Sequence, residues 1–134
     1  MFMTRECDYG VRIIRALADG SKKTVEIIAT EEQIPMKYTY KIIKKLVQSG
    51  FVHSTRGRVG GYHLKKPLNT FTLFDIIMAV DADRYVNECL RLDSSCVFRD
   101  DPDKTCAVHL ELSRVQSLIA SALSEKSMDV VLHT

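Results

Sequence analysis

The sequence predicts a mainly α-helical protein with one small β-hairpin, and three observations carry that prediction. Apolar residues recur at helical spacing in five segments, two short extended segments flank a glycine-rich stretch, and threonine, proline or glycine stands at most of the predicted boundaries. With 134 residues, of which 46% are hydrophobic, the chain is long enough for one domain and apolar enough to form a core.

The N-terminal part of the chain predicts three helices. Thr4 can cap a first helix that runs to about residue 19, and Thr24 can cap a short second helix. Pro35 suits the first turn of a helix but not its interior, so it ends the second helix or opens a third over about 36–49.

A hairpin and a fourth helix follow. Strands are predicted at about 51–55 and 62–66, and the glycines of the Arg-Gly-Arg-Val-Gly-Gly sequence between them permit the positive φ angles of a tight turn. Thr72 can cap a helix through about residue 80. Residues 1–80 are therefore expected to form one domain from which the hairpin projects.

The C-terminal part divides into an irregular, acidic segment at 81–105 and a region at 106–134 that begins with a long helix, through about residue 126, and ends in a tail. That helix carries apolar residues that alternate four and three apart, as in an a/d seam: Val108, Leu112, Val115, Ile119 and Ala122. The seam can pack on the chain's own core or on a second copy of the helix. We favour a symmetric homodimer, in which this helix is the dimerisation helix.

Positive charge is concentrated between Gln33 and Phe74, a stretch with eight Lys or Arg residues and no Asp or Glu. Because the net charge of the chain is only +2, the remainder sums to −6. Such segregation creates a positive surface on which a polyanion can displace counterions. Two short helices, the second basic, followed by a basic hairpin, are typical of a winged helix-turn-helix domain that binds double-stranded DNA.

The recognition helix of such a domain, here about 36–49, enters the major groove, and an Arg-tipped wing, here about 51–66, can reach the minor groove. Tyr38 is assigned to the core, and the Gly60-Gly61 pair is informative only beside the two wing arginines. The residues expected to contact bases or phosphates are Lys37, Thr39, Tyr40, Lys41, Lys44, Arg56, Arg58, Gly60 and Gly61.

Three motifs carry a resemblance to a known family: Ile34-Pro35-x-Lys37-Tyr38, Lys44-Lys45-Leu46-Val47-x-x-Gly50-Phe51-Val52 and Ser54-x-Arg56-Gly57-x-x-Gly60-Gly61-Tyr62. The chain resembles the Rrf2 family of bacterial winged helix-turn-helix transcription regulators, whose members include IscR, NsrR, RirA and CymR. The resemblance extends from about Met3 to Lys126. It implies a homodimer that binds a palindromic operator.

Three cysteines lie close together in the chain: Cys89, Cys96 and Cys106. Thiolates are soft ligands that suit zinc or an iron–sulfur cluster. A structural zinc site usually contains a tight Cys-x₂₋₄-Cys pair, whereas the gaps here are six and nine residues. The resemblance implies an iron–sulfur cluster, [2Fe–2S] or [4Fe–4S], on these three cysteines. A metal-free thiol switch is the alternative.

The fourth cluster ligand has two candidates, both from the resemblance. The spacing Cys106-x-x-His109 is similar to that of IscR, the cluster-biogenesis regulator, and this resemblance implies His109 as the fourth ligand. NsrR, the nitric-oxide sensor, uses a carboxylate from the first helix of the partner subunit, and this resemblance implies Asp8 as the fourth ligand. Glu6 and Cys7 are close enough to compete, although Cys7 is expected to pack in the core.

Other function classes fit the sequence less well. An enzyme with a Cys–His pair would need an oxyanion-forming loop and an orienting third group, for which the sequence offers no candidates. A module that binds RNA or an acidic protein is a further alternative. The absence of a long apolar run or a secretory leader pattern places the protein in the cytoplasm by expectation.

Overall fold

Six α-helices and one two-stranded hairpin form the described part of the computed structural model, which covers residues 3–81 and 83–133. The helices are α1 (Arg5–Ala16), α2 (Val25–Glu32), α3 (Met36–Gln48), α4 (Leu73–Val80), α5 (Ala107–Ser124) and α6 (Met128–Leu132). The antiparallel strands are β1 (Val52–Thr55) and β2 (Gly61–Leu64). Short 3₁₀ turns lie at Leu68–Thr70 and Glu88–Leu90. The mainly α fold with a small hairpin is confirmed.

Threonine caps start three of the helices at the predicted residues. The Thr4 hydroxyl accepts the N–H of Cys7, and the Thr24 hydroxyl accepts the N–H of Ile27, each at 3.3 Å. Thr72 forms a capping box with Asp75. The Thr72 N–H donates to an Asp75 carboxylate oxygen at 2.8 Å, and the Thr72 hydroxyl accepts the Asp75 N–H at 3.3 Å. Each cap satisfies an amide that the first turn leaves without a helical acceptor.

The core lies where α1 crosses α3 and α4. Fully or nearly fully buried side chains include Cys7, Ile13, Ile14, Leu17, Ile28, Ile42, Ile43, Leu46, Ile76, Ile77 and Met128. The rings of Phe51 and Phe71 meet edge to face at 5.0 Å, which links the start of the hairpin to the start of α4. The burial of Cys7 confirms its prediction as a packing residue.

Only the first position of the buried stripe of α3 differs from the prediction. Thr39 was expected on the outward side, but it is fully buried and its hydroxyl donates to the Pro35 carbonyl at 3.3 Å. Tyr38 was expected in the core, but it is 38% exposed and lies beside Tyr9 at a ring separation of 5.7 Å. The buried stripe runs 39, 42, 43 and 46, a spacing of three, one and three that places Thr39 inside and turns its neighbour outward.

The C-terminal end also differs from the prediction, which has only a tail after residue 126. The structure instead forms α6, whose Met128 is fully buried in the N-terminal core. The Met128 N–H donates to the Phe71 carbonyl at 2.8 Å. This short helix is held by a contact with Phe71, which is 57 residues away in the chain. Its own local sequence therefore does not predict it. Within the described residues, none of the helices could span a membrane.

Candidate DNA-binding face and cysteine segment

The outward face of α3 carries four of the side chains predicted to contact DNA. Lys37, Tyr40, Lys41 and Lys44 are exposed and recur three or four residues apart, so they share one side of the helix. Lys37 and Lys44 form no ion pair with any described residue. Their charges are therefore available to a polyanion.

The wing places Arg56 and Arg58 at the tip of the β1–β2 hairpin. Thr55 pairs with Gly61 at the end of the ladder, and the turn closes through the Gly60 N–H, which donates to the Gly57 carbonyl at 3.0 Å. Both arginines are exposed, and neither forms an ion pair within the described chain. The two guanidinium groups project from a narrow support, as minor-groove insertion requires.

The base of the wing is anchored to the loop before α2. The N–H and C=O of Tyr62 exchange hydrogen bonds with those of Lys23, at 2.8 and 2.9 Å. A Cβ atom on Gly61 would lie 2.9 Å from the Lys23 carbonyl, and one on Gly60 would lie 2.5 Å from the Thr55 carbonyl. Both glycines are thus needed where backbones approach closely, which gives this predicted DNA-binding pair a conformational role.

A groove of about 400 Å³ lies between α3 and the hairpin. Its walls combine aromatic and aliphatic side chains with two lysines: Tyr40, Lys41, Ile43, Lys44, Val47, Ser54 and Tyr62. Ser54 and Tyr62 were missed as site residues by sequence reasoning, because only the hairpin register shows that they face α3. The groove brings the recognition helix and the wing to one continuous surface.

Two lysines of α3 are paired with Glu6 of α1. One carboxylate oxygen of Glu6 lies against Lys41 Nζ, and the other lies 3.0 Å from Lys45 Nζ. Lys45 Nζ also donates to the Val80 carbonyl at 2.8 Å, at the end of α4. The hydrogen bonds from Lys41 and then Lys45 lower the pKa of Glu6 below its usual range. Glu6 is 35 residues from Lys41 in the chain, so no local pattern signals the contact.

The cysteine segment, residues 83–106, contains three partly exposed free thiols: Cys89, Cys96 and Cys106. Cys106 caps α5, and its sulfur accepts the N–H of His109 at 3.4 Å. Cys89 and His109 line one pocket of about 270 Å³, together with Arg99. Arg99 holds the segment together by donating to the Cys89 carbonyl at 2.8 Å.

Cys96 has a distinct environment in this segment. Its N–H donates to an Asp100 carboxylate oxygen at 2.7 Å, and the Asp100 N–H donates back to its carbonyl at 2.8 Å, which closes a tight turn. The backbone N–H groups of Arg99 and then Phe98 hydrogen-bond the sulfur, and they lower the pKa of the Cys96 thiol. The thiolate is the reactive form of cysteine, so the lowered pKa favours reaction at Cys96.

The predicted cluster ligands are not gathered at one point. Among residues 3–81 and 83–133, no three His, Cys, Asp or Glu side chains lie close enough together to hold a metal ion. Asp8, the alternative fourth ligand, pairs with Arg12 of its own helix at 3.0 Å. The thiolate donors suit iron chemically, but their arrangement in this conformation does not fit a cluster.

The outer face of α5 leaves apolar side chains uncovered. In the described chain α5 contains no buried residue, and Val108 and Leu118 are 67% and 55% exposed. Leu112, Val115 and Ile119 of the predicted seam are half-buried. Gln116 ties α5 to the segment before it, because its side chain accepts the N–H of Val86 at 2.8 Å and donates to the Arg84 carbonyl at 3.0 Å.

Comparison with known proteins identifies the family to which the chain belongs. The model of the Rrf2 family, described as iron-dependent transcriptional regulators, matches residues 3–134. Protein aau3 of Rhizobium meliloti (strain 1021) is 26% identical over 132 residues, which cover 96% of this chain and 83% of that protein.

Two solved structures share the fold. CymR (YrzC), the global cysteine regulator of B. subtilis, superposes with a TM-score of 0.77 at 20% identity, covering 99% of this chain and 97% of CymR. IscR of T. potens superposes with a TM-score of 0.72 at 22% identity, covering 97% of this chain and 85% of IscR. The chain belongs to the Rrf2 family of DNA-binding transcriptional regulators, and it is a regulator rather than an enzyme.

Proposed function

We propose that this regulator binds a palindromic DNA operator as a homodimer and that the state of Cys89, Cys96 and Cys106 controls its affinity. The observation that carries the proposal is the common surface formed by α3 and the wing. Lys37, Lys44 and the two wing arginines project from it without a carboxylate partner in the described chain. Cations in this state gain most from phosphate contacts, because no internal ion pair has to be broken.

The two elements have different tasks in this proposal. The face of α3 that contains Tyr40 enters the major groove, where the edges of base pairs are distinguishable. The wing follows the phosphates and inserts Arg56 or Arg58 into the adjacent minor groove. Thr39 is not part of the contact surface because it is buried.

Dimerisation through α5 accounts for the uncovered apolar side chains of that helix. A second copy would cover Val108 and Leu118 across a two-fold axis, and the two α3 helices would then meet successive major grooves. Half-sites on one face of DNA lie about 34–36 Å apart, so the separation of the two recognition helices must match that distance.

The cysteine segment is placed to change this separation. It connects α4 to α5, and Gln116 joins its first residues to the middle of α5. At the other end of α5, Met128 anchors α6 in the DNA-binding domain. A rearrangement between residues 83 and 106 would therefore move α5 relative to the wing and α3.

Two chemistries can drive such a rearrangement. The first is a [2Fe–2S] or [4Fe–4S] cluster on the three thiolates, with His109 or the carboxylate of Asp8 as fourth ligand. Soft, free thiols within 18 residues support it. The segment would have to adopt another conformation to gather them, since the present one does not. The second is metal-free thiol oxidation, which the lowered pKa of Cys96 favours.

An anaerobic preparation distinguishes the two chemistries. A brown protein with visible absorption and with iron and sulfide in equal amounts supports the cluster; a colourless protein whose DNA affinity changes reversibly with oxidant and reductant supports the thiol switch. Affinity for a duplex selected from a random pool is then measured for Cys96→Ala, with Ser95→Ala as the neighbouring control. Affinity of Cys96→Ala that equals the wild type in both reduced and oxidised states would exclude control through this residue.

A further inference from the structure

Glu6 neutralises part of the basic surface from outside the basic stretch. The stretch from Gln33 to Phe74 contains no acidic residue, yet the fold brings this carboxylate of α1 against α3. Among the described residues, Glu6 is the one carboxylate that forms an ion pair with cations of α3. The pairing is thus a product of the tertiary fold.

The two lysines that contact Glu6 have different surroundings. Lys45 is half-buried and also binds the Val80 carbonyl, so it holds α1, α3 and α4 together. Lys41 is 53% exposed and lines the groove between α3 and the wing. Lys41 is therefore the cation for which Glu6 and a DNA phosphate would compete.

We propose that Glu6 limits binding to nonspecific DNA by competing with phosphates for Lys41. This inference rests on the proposed contact of α3 with DNA. Binding to random sequences depends almost entirely on phosphate contacts, so neutralising one contact cation reduces it directly. Base contacts by other side chains of α3, such as Tyr40, are untouched by this competition.

The test compares Glu6→Gln, Lys41→Gln and the double variant on a random-sequence duplex, by fluorescence anisotropy over a range of salt concentrations. Glu111→Gln on α5 is the matched control, because it removes the same charge and breaks an exposed ion pair with Arg114. Glu6→Gln should raise the affinity for nonspecific DNA about two- to fivefold, the range expected from one exposed ion pair. It should also steepen the slope of log affinity against log salt concentration by up to about 0.9. Neither effect should occur in the Lys41→Gln background or in Glu111→Gln.

Several outcomes would overturn the inference. One is an affinity of Glu6→Gln for the random-sequence duplex that equals the wild type. Another is a gain in affinity from Glu6→Gln that is equal with and without Lys41, which would indicate only the change in net charge. Thermal unfolding followed by circular dichroism verifies that each variant is folded. A second comparison avoids Glu6 entirely: Lys44→Gln should lower the salt slope by about 0.9, and Lys41→Gln by less because Lys41 is already neutralised. Equal slopes would contradict the proposal, whereas a wild type that binds no DNA would instead refute the function proposed above.

Discussion

Replacing the two wing arginines offers a direct measurement of what the wing does. Arg56 and Arg58 are exposed at the hairpin tip and form no ion pair in the described chain, so Arg56→Gln/Arg58→Gln removes two cations without releasing a carboxylate. The hairpin backbone is held by Tyr62 and its hydrogen bonds to Lys23, which the substitutions do not touch. The variant should fold as the wild type does.

The magnitude follows from counterion release. Each phosphate contact contributes about 0.9 to the slope of log affinity against log salt, so losing two contacts should reduce that slope by about 1.8. A fourfold rise in salt concentration would then weaken the wild type roughly twelvefold more than the variant. Fluorescence anisotropy with a labelled duplex, at several salt concentrations, measures both slopes.

The matched control for this experiment is Lys66→Gln. It removes a cation from the same basic stretch, but Lys66 Nζ lies 4.1 Å from the centre of the Phe51 ring and is thus held by a cation–π contact beside the core. If Lys66→Gln lowers the slope as much per charge as the wing variant does, the wing has no particular part in DNA binding. The same conclusion holds if the wing variant keeps the wild-type slope.

Two further predictions concern α6 and the cysteine segment. Met128→Ala should lower the free energy of unfolding by about 2–5 kcal/mol, because it empties a fully buried core position, while Val130→Ala on the same helix should cost less than about 1 kcal/mol; urea unfolding at fixed protein concentration measures both. A loss below about 1 kcal/mol for Met128→Ala would mean that α6 is not docked in solution. The alkylation rate of Cys96 should reach half-maximum below the pH usual for a free thiol, since the backbone N–H groups of Arg99 and Phe98 lower its pKa. Mass spectrometry of the labelled Cys96 peptide over a range of pH measures this rate, and a half-maximum at or above the usual pH would contradict the assignment.

Local sequence patterns predicted much of the fold because local contacts decide those features. The caps at Thr4, Thr24 and Thr72 each act on an amide three residues ahead, so they could be found from spacing alone. The hairpin was equally visible, because closely spaced glycines permit a tight turn between two extended segments. The exposed basic face of α3 and the Arg-tipped wing followed from these elements.

The one-residue error in α3 shows where periodicity stops being informative. Tyr38 and Thr39 are adjacent, and a helical stripe can be drawn through either of them. The aromatic residue is the more apolar choice, but the fold buries Thr39, whose hydroxyl is satisfied by the Pro35 carbonyl. The sequence does not state how the helices pack, and that packing decides which of the two residues is buried.

The sequence by itself determined the starts of α1 to α5, the hairpin, the concentration of positive charge and the set of three neighbouring cysteines, since all of these depend on residues close together in the chain. Only the tertiary structure decided that Glu6 meets Lys41, that Met128 returns to the N-terminal core, and that the three thiols do not converge on one metal site in this conformation. The physical reason is separation along the chain: contacts between distant residues depend on how helices pack, and helix packing depends on the shape of the whole core.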